Sequence, residues 1–455
     1  MSTAPDIKEH ADAVGARALR KVTWRLMPVL IAGYFVSYVD RINISFAKFG
    51  LTESFGLSAT GFGFAAGIFF IGYILFEVPS NLVQHRVGAR IWLSRIMLTW
   101  GVIAVATAFV NSAATLYAAR FLLGAAEAGF FPGIIVFLAR WYPNRERTRM
   151  IAVLMMAIPL SSALAGPFNG WILSTFEGTL GLEAWRWVFI VGGLPAVALA
   201  FVFFFTVADS PAKAPWLTSA ERDWLDRTLA AEEAERREAA PLGHWEVFRS
   251  GRVLTLCLIY FLLQCGAYPL VYWMPSVIDE LGNFSKTELG FVTAVPFAFA
   301  AVGMYVAGRK ASRHSRSAMP VILALAVSFV AFIATALSLK AAALAFVMIT
   351  IATVAAQTAK PLFWSLPTAY LSGAAAATGI ALINSMGNAA GFVSPFAVGW
   401  IQDATGGNVG LSMSVMIAAD ALALITVVIL ALRSRRDRTA QPSPKAAAPV
   451  KDTVS

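Results

Sequence analysis

Cysteine is almost missing from this chain: Cys257 and Cys265 are the only two among 455 residues. Eight residues apart on one predicted helix, they stand about 12 Å from each other, too far for a disulfide. Histidine is nearly as scarce, and His10, His85, His244 and His314 all fall in predicted loops or tails. No CxxC, no HExxH and no cluster of histidines with carboxylates at ligand spacing occurs, so the sequence offers no metal site and implies no cofactor. Charge is short as well: 14% of residues are charged against 58% hydrophobic, which excludes a soluble fold of this size. The first 23 residues are polar, with His10, Asp12 and Arg17, and lack the apolar core and cleavage site of a signal peptide. The first apolar run is therefore expected to stay as an anchor.

Long apolar runs are what the chain has in abundance. About 20 such residues cross a bilayer's hydrocarbon core, and runs of that kind recur near 25–44, 60–82, 92–110, 114–138, 149–173, 187–207, 253–277, 287–308, 319–338, 342–369, 376–401 and 411–432. Twelve transmembrane helices in an all-α membrane protein are the expectation. Arg86 and Arg90 follow the second run, Arg140, Arg145, Arg147 and Arg149 the fourth, Arg309, Lys310, Arg313 and Arg316 the eighth, and Arg433, Arg435, Arg436 and Arg438 the twelfth. The alternate loops hold only Lys48, Arg186, Lys286 and Lys340. The positive-inside rule places the basic loops and both termini in the cytoplasm. The net charge of +10 is thus a topology signal and leaves no case for nucleic-acid binding.

One long polar stretch divides the chain. After Asp209, Pro211 and Pro215 comes a Glu- and Arg-rich helical segment from Glu221 to Glu238. It reads as a cytoplasmic linker at 208–250 between six-helix bundles at 1–207 and 251–435, with a disordered tail, rich in Pro, Ala, Ser and Lys, at 436–455. The fifth run ends Gly166-Pro167-Phe168-Asn169-Gly170-Trp171-Ile172, and the eleventh carries Ser394-Pro395-Phe396-Ala397-Val398-Gly399-Trp400-Ile401. This echo, one residue out of register, supports two repeated bundles, the architecture of alternating access.

The informative residues are those that lipid rejects. Asp40 and Arg41 interrupt the first run, and Arg120 and Glu127 the fourth; at mid-helix an Asp or Arg facing lipid costs about 2.5–3.5 kcal/mol on the insertion scale. Counting the helical rise, Asp40 lies about 22 Å in from residue 25, roughly 8 Å short of the outer boundary, and Arg120 about 9 Å below that boundary. The two are expected to meet as an ion pair, with Glu127 two turns below Arg120 on the same face. Asp40, Arg120 and Glu127 then read either as a proton relay or as a structural ion-pair network. Arg41, left without that partner, offers a bidentate fork for an organic anion. Tyr34 and Tyr38 share its face and either line the route or pack. The opposite wall has Gln264 and Tyr268 on the seventh run, Gln357 and Lys360 on the tenth, and Asn384 and Asn388 on the eleventh. Lys360 either complements a second carboxylate or snorkels to the interface.

These pieces carry a resemblance. Gly33-Tyr34-Phe35-Val36-Ser37-Tyr38-Val39-Asp40-Arg41-Ile42-Asn43-Ile44-Ser45, Glu77-Val78-Pro79-Ser80-Asn81, Arg120-Phe121-Leu122-Leu123-Gly124 and Glu127-Ala128-Gly129-Phe130-Phe131-Pro132-Gly133 resemble the major facilitator superfamily, and within it the anion:cation symporters. Phe363-Trp364-Ser365-Leu366-Pro367 and the stretch 379–391 add to it. The resemblance, from about residue 20 to 435, implies the major facilitator fold and proton-driven import of small carboxylates such as tartrate, sugar acids or phthalate. It assigns the substrate carboxylate to Arg41 and proton coupling to Asp40, Glu127 and Arg120. The family's loop after span two has an Asp before Arg-x-Gly, where this chain has His85-Arg86-Val87-Gly88-Ala89-Arg90; the loop after span eight has Ser312 before Arg313. A cytoplasmic gate of Arg86, Arg90, Arg309 and Arg313, with Glu77 supplying the missing carboxylate, is the resulting expectation. The whole reads as a monomeric carrier of the cell inner membrane, and no enzyme, channel or sensor. A hydroxylated mono- or dicarboxylate, tartrate first, is the expected substrate; an aromatic carboxylate, or export in place of import, is the alternative.

Overall fold

The apolar runs form helices in a computed structural model, which describes residues 4–238, 249–311, 318–370 and 373–440, with side chains at 13–232, 249–307, 318–367 and 378–433. The first bundle contains α1 (Ala4–Phe55), α2 (Ala59–Val87), α3 (Ala89–Thr107), α4 (Ala113–Ala139), α5 (Asn144–Thr175) and α6 (Ala184–Thr206). A linker helix, Ser219–Glu238, follows. The second bundle contains α7 (Gly251–Asp279), α8 (Lys286–Ala311), α9 (Met319–Ser338), α10 (Ala342–Tyr370), α11 (Gly373–Ala404) and α12 (Val409–Arg433). Eleven of these are long and apolar enough to cross a membrane, and α11, at 32 residues, holds the eleventh place between them. Arg309 has no described side chain, and Arg313 and the tail from 441 lie outside the described residues.

Local chemistry sets the ends. Ser58 accepts a hydrogen bond from Gly61 N at the start of α2, and Ser112 with Thr115 closes a capping box on α4. The linker helix has its own box: Thr218 N donates to Glu221 Oε2 at 2.9 Å and Glu221 N to Thr218 Oγ1 at 3.3 Å. Its acids then fasten it to the first bundle. Glu221 meets Lys21 at 2.8 Å, and Glu232 accepts from Asn144 N, the first amide of α5, at 3.0 Å. Trp216 stacks on Trp141 with ring centres 5.6 Å apart.

Two expectations change. The polar start of the chain is a continuation of α1, which runs unbroken from Ala4 to Phe55. The fourth run, in contrast, is two segments, because Ala128 and Gly129 leave helical geometry directly after Glu127, with Gly129 at φ 84°. A Cβ at Gly129 would also overlap Ser80 Oγ, so both backbone and space require glycine there.

Along two seams the bundles meet through small residues. α2 packs on α11 and α5 on α8. A Cβ on Gly63 or Gly67 would strike the backbone of Pro395 or Phe392, one on Gly399 that of Ala59, and one on Gly166 that of Gly290. Helix backbones approach this closely only without side chains between them. The two echoed segments therefore do equivalent jobs, one in each seam. Asp403 completes the first seam by accepting from Ala59 N at 3.0 Å and Thr60 N at 2.7 Å at the start of α2. In the second, Lys286 bridges to Glu177 and Thr287 bonds Ser174 at 2.9 Å. All these contacts lie at the face away from the termini, where the molecule is closed.

Candidate functional site

Four charges sit beneath that closed face, and their pairing differs from the expected one. Arg41 Nε donates to Glu127 Oε1 at 2.8 Å and Arg41 Nη2 to the same oxygen. Asp40 and Arg120 form no ion pair: neither Asp40 oxygen has a hydrogen-bond partner, and Arg120 bonds only through Nε, to Ala65 O at 3.3 Å. The reason is azimuth. Depth puts Asp40 and Arg120 at one level, but adjacent residues on a helix diverge by about 100°, and it is the long Arg41 side chain that reaches α4. Glu127 and Arg120 are wholly buried and Asp40 is 1% exposed. The break after Glu127 lets α4 present its acid at the end of the upper segment.

Aromatic rings fix the guanidinium. Arg41 lies 4.9 Å from the Tyr38 ring centre and 5.1 Å from those of Phe69 and Tyr73, contacts that orient a cation without using its donors. Tyr34 meets Tyr38 edge-on at 5.1 Å and stacks on Phe131 at 5.2 Å. Phe69 and Tyr73, four residues apart on α2, were not singled out from sequence, since aromatics in an apolar run read first as packing. Their i,i+4 spacing was the available signal.

The second bundle faces this group across Phe70, whose ring lies 4.7 Å from that of Tyr268 and 6.5 Å from that of Tyr272. Tyr268 donates to Asn388 Oδ1 at 3.4 Å, and Lys360 Nζ stands 5.9 Å from the Tyr268 ring. Lys360 thus points toward the aromatic interior rather than toward an interface. Gln264 is buried with Oε1 unpartnered, and Gln357 is buried one turn from Lys360. Asn384 is half-buried one turn from Asn388.

The gate residues are divided. Arg90 is tied inside its own bundle: its N donates to Asp209 Oδ1 at 2.9 Å and its Nε to Phe204 O at 2.6 Å. Asp209, just after α6, therefore supplies a carboxylate at the start of α3 that was expected from Glu77. Glu77 makes no ion pair among the described residues, and Arg86 is exposed.

Among the described residues, twelve helices in two bundles, sealed at one face over buried charges and a polar wall, define a multi-pass membrane transporter. The chain belongs to the Major Facilitator Superfamily, whose model matches residues 30–395. Two Agrobacterium vitis proteins named "Putative tartrate transporter" are 45% identical over 87% of both chains and 43% identical over 95% of this chain and 98% of that one. "Putative metabolite transport protein NicT" of Pseudomonas putida is 38% identical over 92% and 96%. Among solved structures, a bacterial homologue of the lysosomal transporter Spinster, inward-facing and unoccupied, superposes with a TM-score of 0.72 at 21% identity, covering 92% of this chain and 98% of that one. The D-xylose-proton symporter gives 0.71 at 17%, covering 89% and 97%. At such identities these two show the fold alone.

Proposed function

We propose that the protein is a proton-coupled symporter that imports a small hydroxylated carboxylate across the cell inner membrane, with tartrate as the leading substrate. The observation that carries this reading is the Arg41–Glu127 bond. A substrate carboxylate and Glu127 are rivals for one guanidinium: a proton on Glu127 cancels its charge and frees the fork of Arg41 for the substrate. Release of the proton reverses the exchange. The rings of Tyr38, Phe69 and Tyr73 hold the fork in place while its partner changes. Asp40 and Arg120, buried without an ion pair, are the second acid and the cation that complete the relay.

The wall of Tyr268, Asn388, Gln264, Gln357 and Asn384 supplies donors and acceptors to hydroxyl groups, and Lys360 supplies charge to a second carboxylate. The names of the two Agrobacterium vitis relatives support tartrate. The basic loops support cytoplasmic termini, so the closed face is the outer one, and the parts that rock are the bundles at 1–207 and 251–435, working as a monomer. A second reading rests on the rings: Tyr34, Tyr38, Phe70 and Tyr268 would suit an aromatic carboxylate. Uptake into proteoliposomes under an inward proton gradient tests both, with tartrate, galactonate and glucarate competing against phthalate and hydroxyphenylacetate. Accumulation of none of them overturns the proposal, and competition by the aromatic acids alone selects the second reading.

A further inference from the structure

Asn43, next but one to Arg41, has no role in the scheme above, yet it is wholly buried one turn from Asp40 on the same face of α1. Its Oδ1 accepts from Asn169 Nδ2 on α5 at 3.0 Å. Its own Nδ2 reaches Val188 O on α6 at 3.5 Å, beyond the usual 2.7–3.2 Å range for such a bond. Space for that amide exists because α6 has Gly192 there, where a Cβ would overlap Nδ2. Asn169 is equally buried, donates also to Ala165 O at 2.9 Å, and leaves its Oδ1 unpartnered. A loosely held donor thus stands one turn from the Asp40 carboxylate, close enough to act on it though neither oxygen completes a hydrogen bond of ordinary geometry. Asn169 in turn lies between Gly166 and Gly170, the two residues whose backbones close the seam against Gly290 and Lys286 of α8.

We propose that Asn43 and Asn169 are positioning residues that read the charge on Asp40 and pass it to the α5–α8 seam. An ionised Asp40 accepts from Asn43 Nδ2 in place of Val188 O. Turning the amide to do so draws Oδ1 off Asn169, and α5 loses its polar tie to α1 and is free to part from α8. Protonation of Asp40 restores the tie and closes the seam. The charged groups acting on Asp40 are Glu127 and Arg120 from α4 and Arg41 from its own helix. α5 carries no charged residue between 157 and 175, and the one charge of α6, Arg186, is held by Glu183 and by the carbonyls of Ala108 and Val110. The inference rests on the proton-coupling reading.

The test is a pH titration of seam opening. Spin labels at Thr175→Cys and Asn283→Cys, in a Cys257→Ala, Cys265→Ala background in nanodiscs, report the α5–α8 distance by pulsed dipolar spectroscopy. The parent is expected to show an open population that changes with pH, and Asp40→Asn to flatten it. Asn43→Leu and Asn169→Leu, which match the amide in shape but break the tie, should flatten it too; Asn169→Ser should do so by less and stands in where leucine prevents folding. A normal pH response in the Asn variants beside a flat one in Asp40→Asn overturns the inference and leaves the coupling reading intact. A normal response in Asp40→Asn overturns the inference and removes Asp40 from the relay, while the Arg41–Glu127 exchange is judged separately by Glu127→Gln.

Discussion

The two bundles hold polarity in different forms. At the centre of the first are full charges, Asp40, Arg41, Arg120 and Glu127, with one tight ion pair among them; the second answers with tyrosines, amides and a single lysine. Its own buried acid, Asp420 on α12, has Oδ2 unpartnered and no ion pair among the described residues. On the proposed function the contrast is a division of labour, with capture and release of charge assigned to the first bundle and discrimination among acids of like charge to the second.

The sharpest way to break that comparison is Glu127→Gln. It should reduce proton-driven accumulation to background while counterflow exchange persists, because the amide mimics the protonated acid and has no proton to release. Accumulation at the normal level would place coupling elsewhere. Arg41→Lys comes next: keeping the charge but losing the fork should weaken apparent affinity by at least about tenfold, or about 1.4 kcal/mol. Normal affinity in a transport assay would move the carboxylate to Lys360. In the second bundle the effect should be smaller and selective. Lys360→Gln is expected to weaken dicarboxylates several-fold against monocarboxylates, and equal losses for both would deny it a role in recognition.

The sequence disclosed the fold and the chemical cast more fully than the pairing. Asp40, Arg120 and Glu127 stood out because lipid rejects them, and the echo of 166–172 in 394–401 pointed to two repeated bundles, while its place in the seams came from the structure. The Arg41–Glu127 bond was not legible, since helical rise gives depth while direction around each axis depends on how α1 and α4 are turned against each other. Tyr73 and Phe69 were hidden by composition, as an aromatic in an apolar run has a packing role at hand. The capping box of Thr218 and Glu221 was readable from its spacing, though its docking onto Lys21 was not.

That docking gives the smallest predicted effect. Burial alone would raise the Glu221 carboxyl, but the hydrogen bond from Lys21 and that from Thr218 N outweigh it and hold it below the ordinary range. A depressed folded value means the contribution is complete above the unfolded carboxyl's titration near pH 4.3 and is lost as pH falls through the folded value. Lys21 is 43% exposed, so solvent screening keeps the ion pair below about 1 kcal/mol. Glu221→Gln should lower the melting temperature slightly at pH 7 and by progressively less as the pH falls through the folded value; an equal loss at every pH would make the contact one of packing alone.

The break in α4 has a mechanical consequence. Glu127 is the last residue of the upper segment, and the two non-helical residues after it form a knuckle. The lower segment, Phe130–Ala139, is thereby a separate forearm, and under the proposed alternating access it would pivot as the termini face widens without levering the acid off Arg41. On that proposal motion and charge exchange meet at the joint yet do not share a rigid rod, so a change of shape on one side of Glu127 would leave the other side holding its ion.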